Sequence, residues 1–413
     1  MDPLRNQHAH CTTRIPHRSK PTRSVPRGVF SAALSLLFAL GLPGATAFAG
    51  PAQSILTVAD FNQDGITDLL AEKISGSNQG LLWVMLIDGS DGSADGALLG
   101  NEFPLQLQDN YEFLAVGNFN GNLEGQSQIA ARKTGGTPSN EIGGIRVWDL
   151  SDNASTTTTA SEGSLIAIPD PMYSLVGIGD MDGNGVDDFV FIQDNTGFNP
   201  GLIRVYLMNT SMEVQQIAHA LIVDAYPGLE LFGVADVTGD GTADIVLANR
   251  TQRNLRIFAM EDDATNGIAI TEQLFAFSVP PNTYDFLGFA LIDPGARADL
   301  VYAKNGAPNE GLMRAQLVPA LTSGVAGQLE PFHPTNLGTS FDYVGSGLVD
   351  SDTESDLILI RNGGATEGQI KAVLLEVDTG NLSSTDHIDS STFPVRIPQT
   401  DWDERTTGPV TIP

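Results

Sequence analysis

Three short loops in the sequence place oxygen-bearing side chains at alternate positions, a spacing that can bind a divalent cation. The loops are DFNQDGITD from Asp60, DMDGNGVDD from Asp180 and DVTGDGTAD from Asp236. Each has an oxygen side chain at positions one, three, five and nine, and a glycine at position six. Calcium prefers six to eight hard oxygen ligands, and the glycine permits the sharp turn that brings them together. The sequence therefore predicts three calcium sites.

The predicted ligands also include the backbone carbonyl at position seven. In chain order the ligand residues are Asp60, Asn62, Asp64, Ile66 and Asp68; Asp180, Asp182, Asn184, Val186 and Asp188; and Asp236, Thr238, Asp240, Thr242 and Asp244. Without a cation, carboxylates this close together would repel one another and disorder the loop. These loops are not EF-hands, because position twelve is Ala71, Phe191 or Leu247 in place of a bidentate glutamate.

The three loops belong to a repeat that occurs six times. Its loops begin at Asp60, Asn118, Asp180, Asp236, Leu291 and Leu348, so that successive starts are 58, 62, 56, 55 and 57 residues apart. The other three loops have lost ligands. The second has only neutral oxygens and two extra residues, whereas the fifth and sixth begin with leucine; the polar residues that remain are Asn118, Asn120 and Asn122, then Asp293 and Asp299, then Asp350, Asp352 and Asp356. We expect these loops to bind metal weakly or not at all.

Short apolar segments between the loops, rich in β-branched and aromatic residues, predict strands, and 44 glycines and 23 prolines supply the turns. Each repeat has room for about four strands. The near-continuous apolar runs indicate sheets covered on both faces. The sequence therefore predicts an all-β fold, a single β-propeller of six four-stranded blades. Seven blades are the alternative, because Trp402 falls where a seventh repeat would start. A parallel β-helix and a sandwich fit the period less well.

The first 49 residues predict a cleaved secretory signal peptide. Six basic residues precede an apolar run over 29–42, which ends in the small-residue pattern of Ala47, Phe48 and Ala49. The predicted organisation is a signal peptide over 1–49, the propeller over 50–395, and a tail or closing strand over 396–413. Translation beginning downstream of Met1 is left open. The protein is expected to be secreted, periplasmic or at the cell surface, with no membrane span in the mature chain.

Composition restricts the partners. Cys11, the only cysteine, lies in the leader, so the mature chain can form no disulfide. Removing six basic residues and one acidic residue with the leader leaves 15 basic and 49 acidic residues, a net charge of 15 − 49 = −34. Such a surface repels nucleic acid and anionic membranes and attracts divalent cations.

The strand, DxDxDGxxD loop and strand, repeated at this period, resemble the FG-GAP/VCBS repeats of integrin-α-type propellers over residues 51–390. The resemblance implies that the loops lie near the start of each blade, bind calcium structurally, and leave partner recognition to other surface loops. Thr238 departs from the acidic third position of that family.

No motif for a catalytic nucleophile or a phosphate-binding loop occurs in the sequence. The mature chain has three histidines, His219, His333 and His387, none with a partner at catalytic spacing. We therefore expect a non-catalytic extracellular module that binds a protein or a carbohydrate. The alternative is a hydrolase or lyase that acts on extracellular polysaccharide from the central funnel, since a carboxylate pair carries no sequence signature.

Overall fold

A computed structural model describes most of the repeat region. The residues it describes all lie in one compact unit, Ala49–Pro413. They are residues 53–61, 64–73, 80–87, 105–106, 110–121, 127–136, 141–149, 161–166, 173–193, 201–222, 230–249, 251–252, 254–263, 267–275, 283–292, 297–305, 310–318, 329–330, 341–349, 355–361, 370–373, 376–378 and 381–383. The predicted signal peptide and the predicted C-terminal tail, including Trp402, lie outside them.

The described residues form antiparallel sheets, without an α-helix. Sheet 1 comprises β1 (Gln53–Ala59), β2 (Asp68–Lys73), β3 (Leu81–Met85) and β4 (Leu105–Gln106), and sheet 2 comprises β5 (Tyr111–Gly117), β6 (Gln128–Lys133), β7 (Ile145–Asp149) and β8 (Ser161–Ile166). Sheet 3 comprises β9 (Tyr173–Gly179), β10 (Asp188–Gln193), β11 (Leu202–Met208) and β12 (Val214–Ile222), and sheet 4 comprises β13 (Glu230–Ala235), β14 (Asp244–Asn249), β15 (Asn254–Asp263) and β16 (Gly267–Phe275).

Sheet 5 comprises β17 (Tyr284–Ala290), β18 (Asp299–Lys304), β19 (Met313–Gln316) and β20 (Leu329–Glu330). Sheet 6 has three described strands, β21 (Phe341–Gly347), β22 (Asp356–Arg361) and β23 (Ile370–Val373), and a separate hairpin pairs β24 (Glu376–Asp378) with β25 (Asn381–Ser383). Within each sheet, the strands lie side by side in chain order. No helix of the described chain is long and apolar enough to cross a membrane.

The apolar second strands are buried because neighbouring sheets cover both of their faces. In β14 every residue from Asp244 to Asn249 is buried. Each hydrophobic cluster joins residues of two successive sheets, for example Val190 and Val205 of sheet 3 with Ile245 and Leu247 of sheet 4. Full burial of one such aliphatic side chain stabilises the fold by about 1.5–3 kcal/mol. The predicted burial of these strands on both faces is confirmed.

The sheets follow one another in a closed cycle. The first strands of successive sheets contact one another, and β21 of sheet 6 contacts β1 of sheet 1. Val58 and Leu69 of sheet 1 share a hydrophobic cluster with Val349, Ile358 and Ile360 of sheet 6. Four-stranded antiparallel meanders joined in this way make an all-β fold that is β-propeller-like.

Each first strand carries a bulge at the same place. The residue without a cross-strand partner lies four positions before the loop, at Leu56, Leu114, Val176, Phe232, Leu287 and Val344. A bulge bends its strand and increases the local twist. The same bend therefore precedes each loop in the six described sheets.

Candidate metal centres

The six predicted loops occupy one equivalent place in the fold. Each begins at the residue after the first strand of its sheet, and the residue that closes the loop is the first residue of the second strand. In the second repeat, two extra residues move this strand start to Gln128. The loop period read from the sequence therefore corresponds to the period of the sheets.

The loop of the third repeat brings its acidic residues together. Oxygens of Asp180, Asp182 and Asp188 all lie within 4.8 Å of one another. Within the part of the chain that the structure describes, this is the one group of three or more acidic, histidine or cysteine side chains that converges so closely. Three of the predicted ligands in this loop are thus adjacent in space.

Backbone donors hold this loop in its curled form. Asp180 accepts hydrogen bonds from the N–H groups of Gly183 at 2.7 Å and Asn184 at 3.1 Å through Oδ1, and from Gly185 at 2.8 Å through Oδ2. Gly183 and Gly185 have φ values of 74° and 82°, which L-residues with a side chain seldom adopt. The glycine at position six is therefore required by the backbone, as predicted.

The other predicted ligands of this loop are also anchored. Asn184 accepts a hydrogen bond from the Val186 N–H at 2.7 Å and donates one through Nδ2 to the Met208 carbonyl at 2.8 Å. The Val186 side chain is completely buried, so only its backbone could contact a metal. The amide oxygen of Asn184 and the carbonyl of Val186 thus stay in the candidate ligand set.

Asp188 is a buried carboxylate that connects three parts of its sheet. Its side chain has no exposed surface; Oδ2 accepts from the Met181 N–H at 2.8 Å, and Oδ1 accepts from the Met208 N–H at 2.6 Å. Burial raises the pKa of Asp188 to about 8, and the charges of Asp182 and Asp180 raise it further. Burial also raises the pKa of Asp182. A bound cation would reverse both effects, because it favours the charged form of each carboxyl group.

The first loop shares this scaffold. Asp60 accepts from the Gly65 N–H at 2.9 Å, and Asp64 accepts from the Ile66 N–H at 2.8 Å. Asp68 accepts from the N–H groups of Phe61 at 3.0 Å and Ile87 at 2.8 Å. Burial raises the pKa of Asp68 well above its usual value. The carboxylates of this loop do not converge within 4.8 Å, and Asn62 lies outside the described residues.

The fourth-repeat loop has the same backbone and different side-chain contacts. Asp236 accepts from the N–H groups of Gly239 at 2.6 Å and Gly241 at 2.9 Å. The hydroxyl groups at positions three and seven donate within the loop, that of Thr238 to Asp236 at 3.4 Å and that of Thr242 to Asp240 at 2.6 Å. Both threonines therefore fit the loop as residues that orient its carboxylates.

Asp244 closes the fourth loop. Its Oδ2 accepts from the N–H groups of Val237 at 3.1 Å and Thr238 at 3.0 Å, while its buried Oδ1 has no hydrogen-bond partner. Burial raises the pKa of Asp244 to about 8, and burial also raises the pKa of Asp236. The unpartnered oxygen makes the charged form of Asp244 costly unless a cation is bound.

Position nine keeps its structural role in loops that lack the first ligand. Asp299 accepts from the N–H groups of Ile292 at 3.3 Å and Val318 at 2.7 Å, and Asp356 accepts from the Val349 N–H at 3.0 Å. Gln128 accepts from the Phe119 N–H at 2.6 Å in the second loop. Acidic residues at position nine are therefore explained by backbone hydrogen bonds even where no metal is expected. Asn122, Asp293, Asp350 and Asp352 lie outside the described residues.

A further contact, which the sequence did not reveal, joins the loops to one another. In every described sheet, the residue just before the one that closes the loop donates its backbone N–H. The acceptor is the backbone carbonyl of the first residue in the loop of the previous sheet. The six pairs are Ser127 to Asp60, Asp187 to Asn118, Ala243 to Asp180, Ala298 to Asp236, Ser355 to Leu291 and Thr67 to Leu348, with N···O distances of 2.6 to 3.4 Å. The candidate metal loops are thus linked in a closed ring of backbone hydrogen bonds.

One link in this ring contains a buried acid. The Asp187 side chain accepts a hydrogen bond from the Asn118 N–H at 2.7 Å, while its own N–H donates to the Asn118 carbonyl. Burial raises the pKa of Asp187 to about 7. Asn118 also donates through Nδ2 to the Gly185 carbonyl at 3.0 Å. The polar side chain at the start of the second loop therefore connects two loops.

His219 lies on β12, as the sequence predicted, opposite Arg204 of β11. His333 and His387 are outside the described residues.

No protein-family model matches the chain, and no curated protein matches it. Among solved structures it is similar to Kluyveromyces lactis Hsv2, with 11% identity and a TM-score of 0.34 over 80% of this chain and 97% of Hsv2. It is also similar to a post-proline cleaving enzyme from Rickettsia typhi, with 12% identity and a TM-score of 0.39 over 83% of this chain and 46% of that enzyme. Likenesses this remote carry no argument about fold or activity.

Proposed function

We propose that this protein is a secreted, calcium-stabilised β-propeller of six blades that acts as an extracellular binding module for a protein or a carbohydrate. The observation that carries the metal proposal is the convergence of Asp180, Asp182 and Asp188 in a loop whose backbone is curled by its own carboxylates. The loops of the first and fourth repeats share this scaffold.

Six blades are supported by the cycle of sheets and by the ring of hydrogen bonds between their loops. The ring closes from Leu348 to Thr67, so a seventh blade would have to separate these two residues. The repeated loop pattern supports membership of the FG-GAP/VCBS class of propellers.

Calcium fits the chemistry of the donor set, because all the candidate donors are hard oxygens. In the third loop, Asp180, Asp182, Asp188, the Asn184 amide oxygen and the Val186 carbonyl would hold it. The equivalent residues in the other loops are Asp60, Asn62, Asp64, Ile66 and Asp68, and Asp236, Thr238, Asp240, Thr242 and Asp244. The cation would supply the positive charge that buried carboxylates need in order to remain ionised.

The placement of the perturbed acids supports a structural metal site. Six carboxyl groups whose pKa is raised lie in the loops: Asp68, Asp182, Asp187, Asp188, Asp236 and Asp244. If a structural metal is bound there, these acids serve to stabilise the fold. Partner recognition then falls to other surfaces of the sheets.

Thermal unfolding of the purified protein tests this proposal. The protein is first treated with a chelator, and calcium or magnesium is then added back. A ligand that binds only the native state raises the unfolding midpoint. We expect a large rise with calcium and a smaller one with magnesium, because magnesium demands a tighter octahedral site and gives up its water reluctantly.

Two variants with the same charge change provide the control. Asp182→Asn removes a candidate ligand and should reduce the calcium-dependent rise, whereas Asp285→Asn removes an exposed carboxylate of β17 and should leave it unchanged. Absence of a calcium-dependent rise in the parent protein would refute the metal sites.

A further inference from the structure

The basic residues of this acidic chain are concentrated at one end of the sheets. Ten of the eleven described Lys and Arg residues lie where second strands end or third strands begin, and only Arg297 lies in a loop. The ten are Lys73, Arg132, Lys133, Arg146, Arg204, Arg256, Lys304, Arg314, Arg361 and Lys371. Because the strands are antiparallel, this end of each sheet is opposite the metal loops. The ring of hydrogen bonds places all six loops on one side of the set of sheets. The opposite ends of the sheets, which carry these ten basic residues, therefore also lie on one side.

Several of these cations are fixed by aromatic rings. The guanidinium carbon of Arg204 lies 4.5 Å from the ring centroid of Tyr173, and that of Arg314 lies 5.1 Å from Tyr284. In sheet 6, Arg361 and Lys371 both lie 5.7 Å from the centroid of Phe341. Each aromatic residue is the first residue of a first strand. The same stack thus recurs in sheets 3, 5 and 6, with Arg204, Arg314 and Lys371 at equivalent places on the third strand.

The stacked cations have no carboxylate partner in the described chain. By contrast, Lys133 and Arg146 form ion pairs with Glu141, at 2.9 Å and 3.3 Å. No described carboxylate lies within 4.0 Å of the guanidinium nitrogens of Arg204 or Arg314. This is unexpected in a mature chain with 49 acidic and 15 basic residues. Among the described residues, the stack orders each guanidinium group and no carboxylate neutralises its charge.

A stacked guanidinium group is suited to binding an oxyanion. The aromatic ring covers one face of the planar group, and because the Nε–H groups of Arg204 and Arg314 are buried, a carboxylate or sulfate would accept hydrogen bonds from the terminal NH2 groups of these half-buried side chains. Repetition in successive sheets suits a ligand whose charges also repeat. The excess negative charge of the chain repels polyanions at long range, so such binding depends on short-range contacts.

We propose that this end of the sheets binds an acidic polysaccharide, through carboxylate or sulfate groups that contact Arg204, Arg314 and their neighbours. This inference rests on the proposed role as an extracellular binding module and names the surface and the class of ligand. It requires no metal at that surface.

The test is binding of the purified protein to immobilised heparin, polygalacturonate and neutral dextran at a fixed calcium concentration. We expect binding to at least one acidic polymer and none to dextran. Heparin presents sulfate groups and polygalacturonate only carboxylates, so the two polymers distinguish the anions. The double variant Arg204→Gln/Arg314→Gln should lose affinity by about tenfold or more, since each lost contact is a charge-assisted hydrogen bond.

Arg297→Gln is the control for each arginine replacement, because it removes one positive charge at the opposite end and should bind within about twofold of the parent. If the double glutamine variant fails to fold, the double variant Arg204→Lys/Arg314→Lys replaces it. This variant keeps both charges but loses the planar donors, so we expect an intermediate loss of affinity for the polymer. The inference is overturned if the parent binds neither acidic polymer, if the double variant binds normally, or if Arg297→Gln loses as much affinity. Equal competition by polyglutamate would overturn the choice of a polysaccharide.

Calcium-dependent thermal unfolding of the same samples separates the two proposals. A calcium-dependent midpoint without polymer binding refutes only this inference. Polymer binding without a calcium-dependent midpoint refutes only the metal sites.

Discussion

The backbone N–H of Thr67 in the first loop donates to the carbonyl oxygen of Leu348 in the sixth loop, with an N···O distance of 2.6 Å. These residues are far apart in the chain, yet their contact is equivalent to that between Ala243 and Asp180 of neighbouring repeats. The first and last described sheets therefore meet in the same way as any two consecutive sheets.

Gly347 tests this closing contact. A Cβ atom at Gly347 would collide with the Thr67 side chain. We expect Gly347→Ala to lower the free energy of unfolding by about 1–3 kcal/mol, as overpacking does in a tightly packed interior. Denaturant unfolding measures the loss, and hydrogen exchange of the Thr67 amide should become faster. Gly135→Ala is the control, because a Cβ there has open space; an equal loss in both variants would contradict the closing role.

Gly241 tests the curl of the fourth loop. Its φ is 90°, and an added Cβ would meet no atom within 4 Å, so Gly241→Ala adds backbone strain without a clash. We expect a loss of about 1–2 kcal/mol in chemical unfolding. Gly241→Asn should lose less, because asparagine tolerates the left-handed region. Equal stability of the alanine variant and the parent would show that the loop adopts another conformation.

The loops could be predicted from sequence because their requirements are local. Oxygen side chains at alternate positions and glycine at position six appear directly in the letters, and the observed φ of Gly185 and Gly241 gives the physical reason. The strands on both sides were predictable for a similar reason, since apolar runs such as β10 and β14 are covered on both faces.

The ring between the loops was not predictable in this way. A hydrogen bond from the Thr67 N–H to the Leu348 carbonyl requires no particular side chain, so neither the donor nor the acceptor position has one residue type in all six links. The stack of Arg204 on Tyr173 likewise joins two strands that are not neighbours in their sheet. Neither contact has a sequence pattern of its own.

The role of position nine was only partly predicted. The pattern suggested that this acid closes a metal site, and it does not explain why Asp299 and Asp356 remain in loops that begin with leucine. Their hydrogen bonds to backbone N–H groups supply that reason. The acid at position nine thus has two separable tasks, one in the backbone scaffold and one as a candidate ligand.

Asp299→Ala and Asp182→Ala separate these tasks. Asp299→Ala leaves the buried N–H groups of Ile292 and Val318 without acceptors, so we expect a loss of about 1–3 kcal/mol with or without calcium. Asp182→Ala should lower stability mainly when calcium is present. Denaturant unfolding in chelator and in calcium measures both. A loss in Asp299→Ala that appears only with calcium would assign a metal to the fifth loop.

Acidity should stabilise the chelated protein. Burial raises the pKa of Asp188 and Asp244 to about 8 and that of Asp187 to about 7, whereas an unfolded aspartate titrates near pH 3.9. The folded state therefore holds more protons than the unfolded state between these values. The stability that these protonated aspartates contribute is fully present below about pH 4 and is lost as the pH rises toward 8.

Thermal unfolding of the chelated protein at pH 5 and pH 8 measures this effect, and the midpoint should be higher at pH 5. Asp244→Asn isolates the effect from repulsion among surface carboxylates, because it removes one buried ionisable group and should weaken the pH dependence. Saturating calcium should weaken it as well, since the cation favours the charged carboxylates that protons would otherwise neutralise. A chelated protein that gains stability between pH 5 and pH 8 would show that these acids are not buried in the absence of metal.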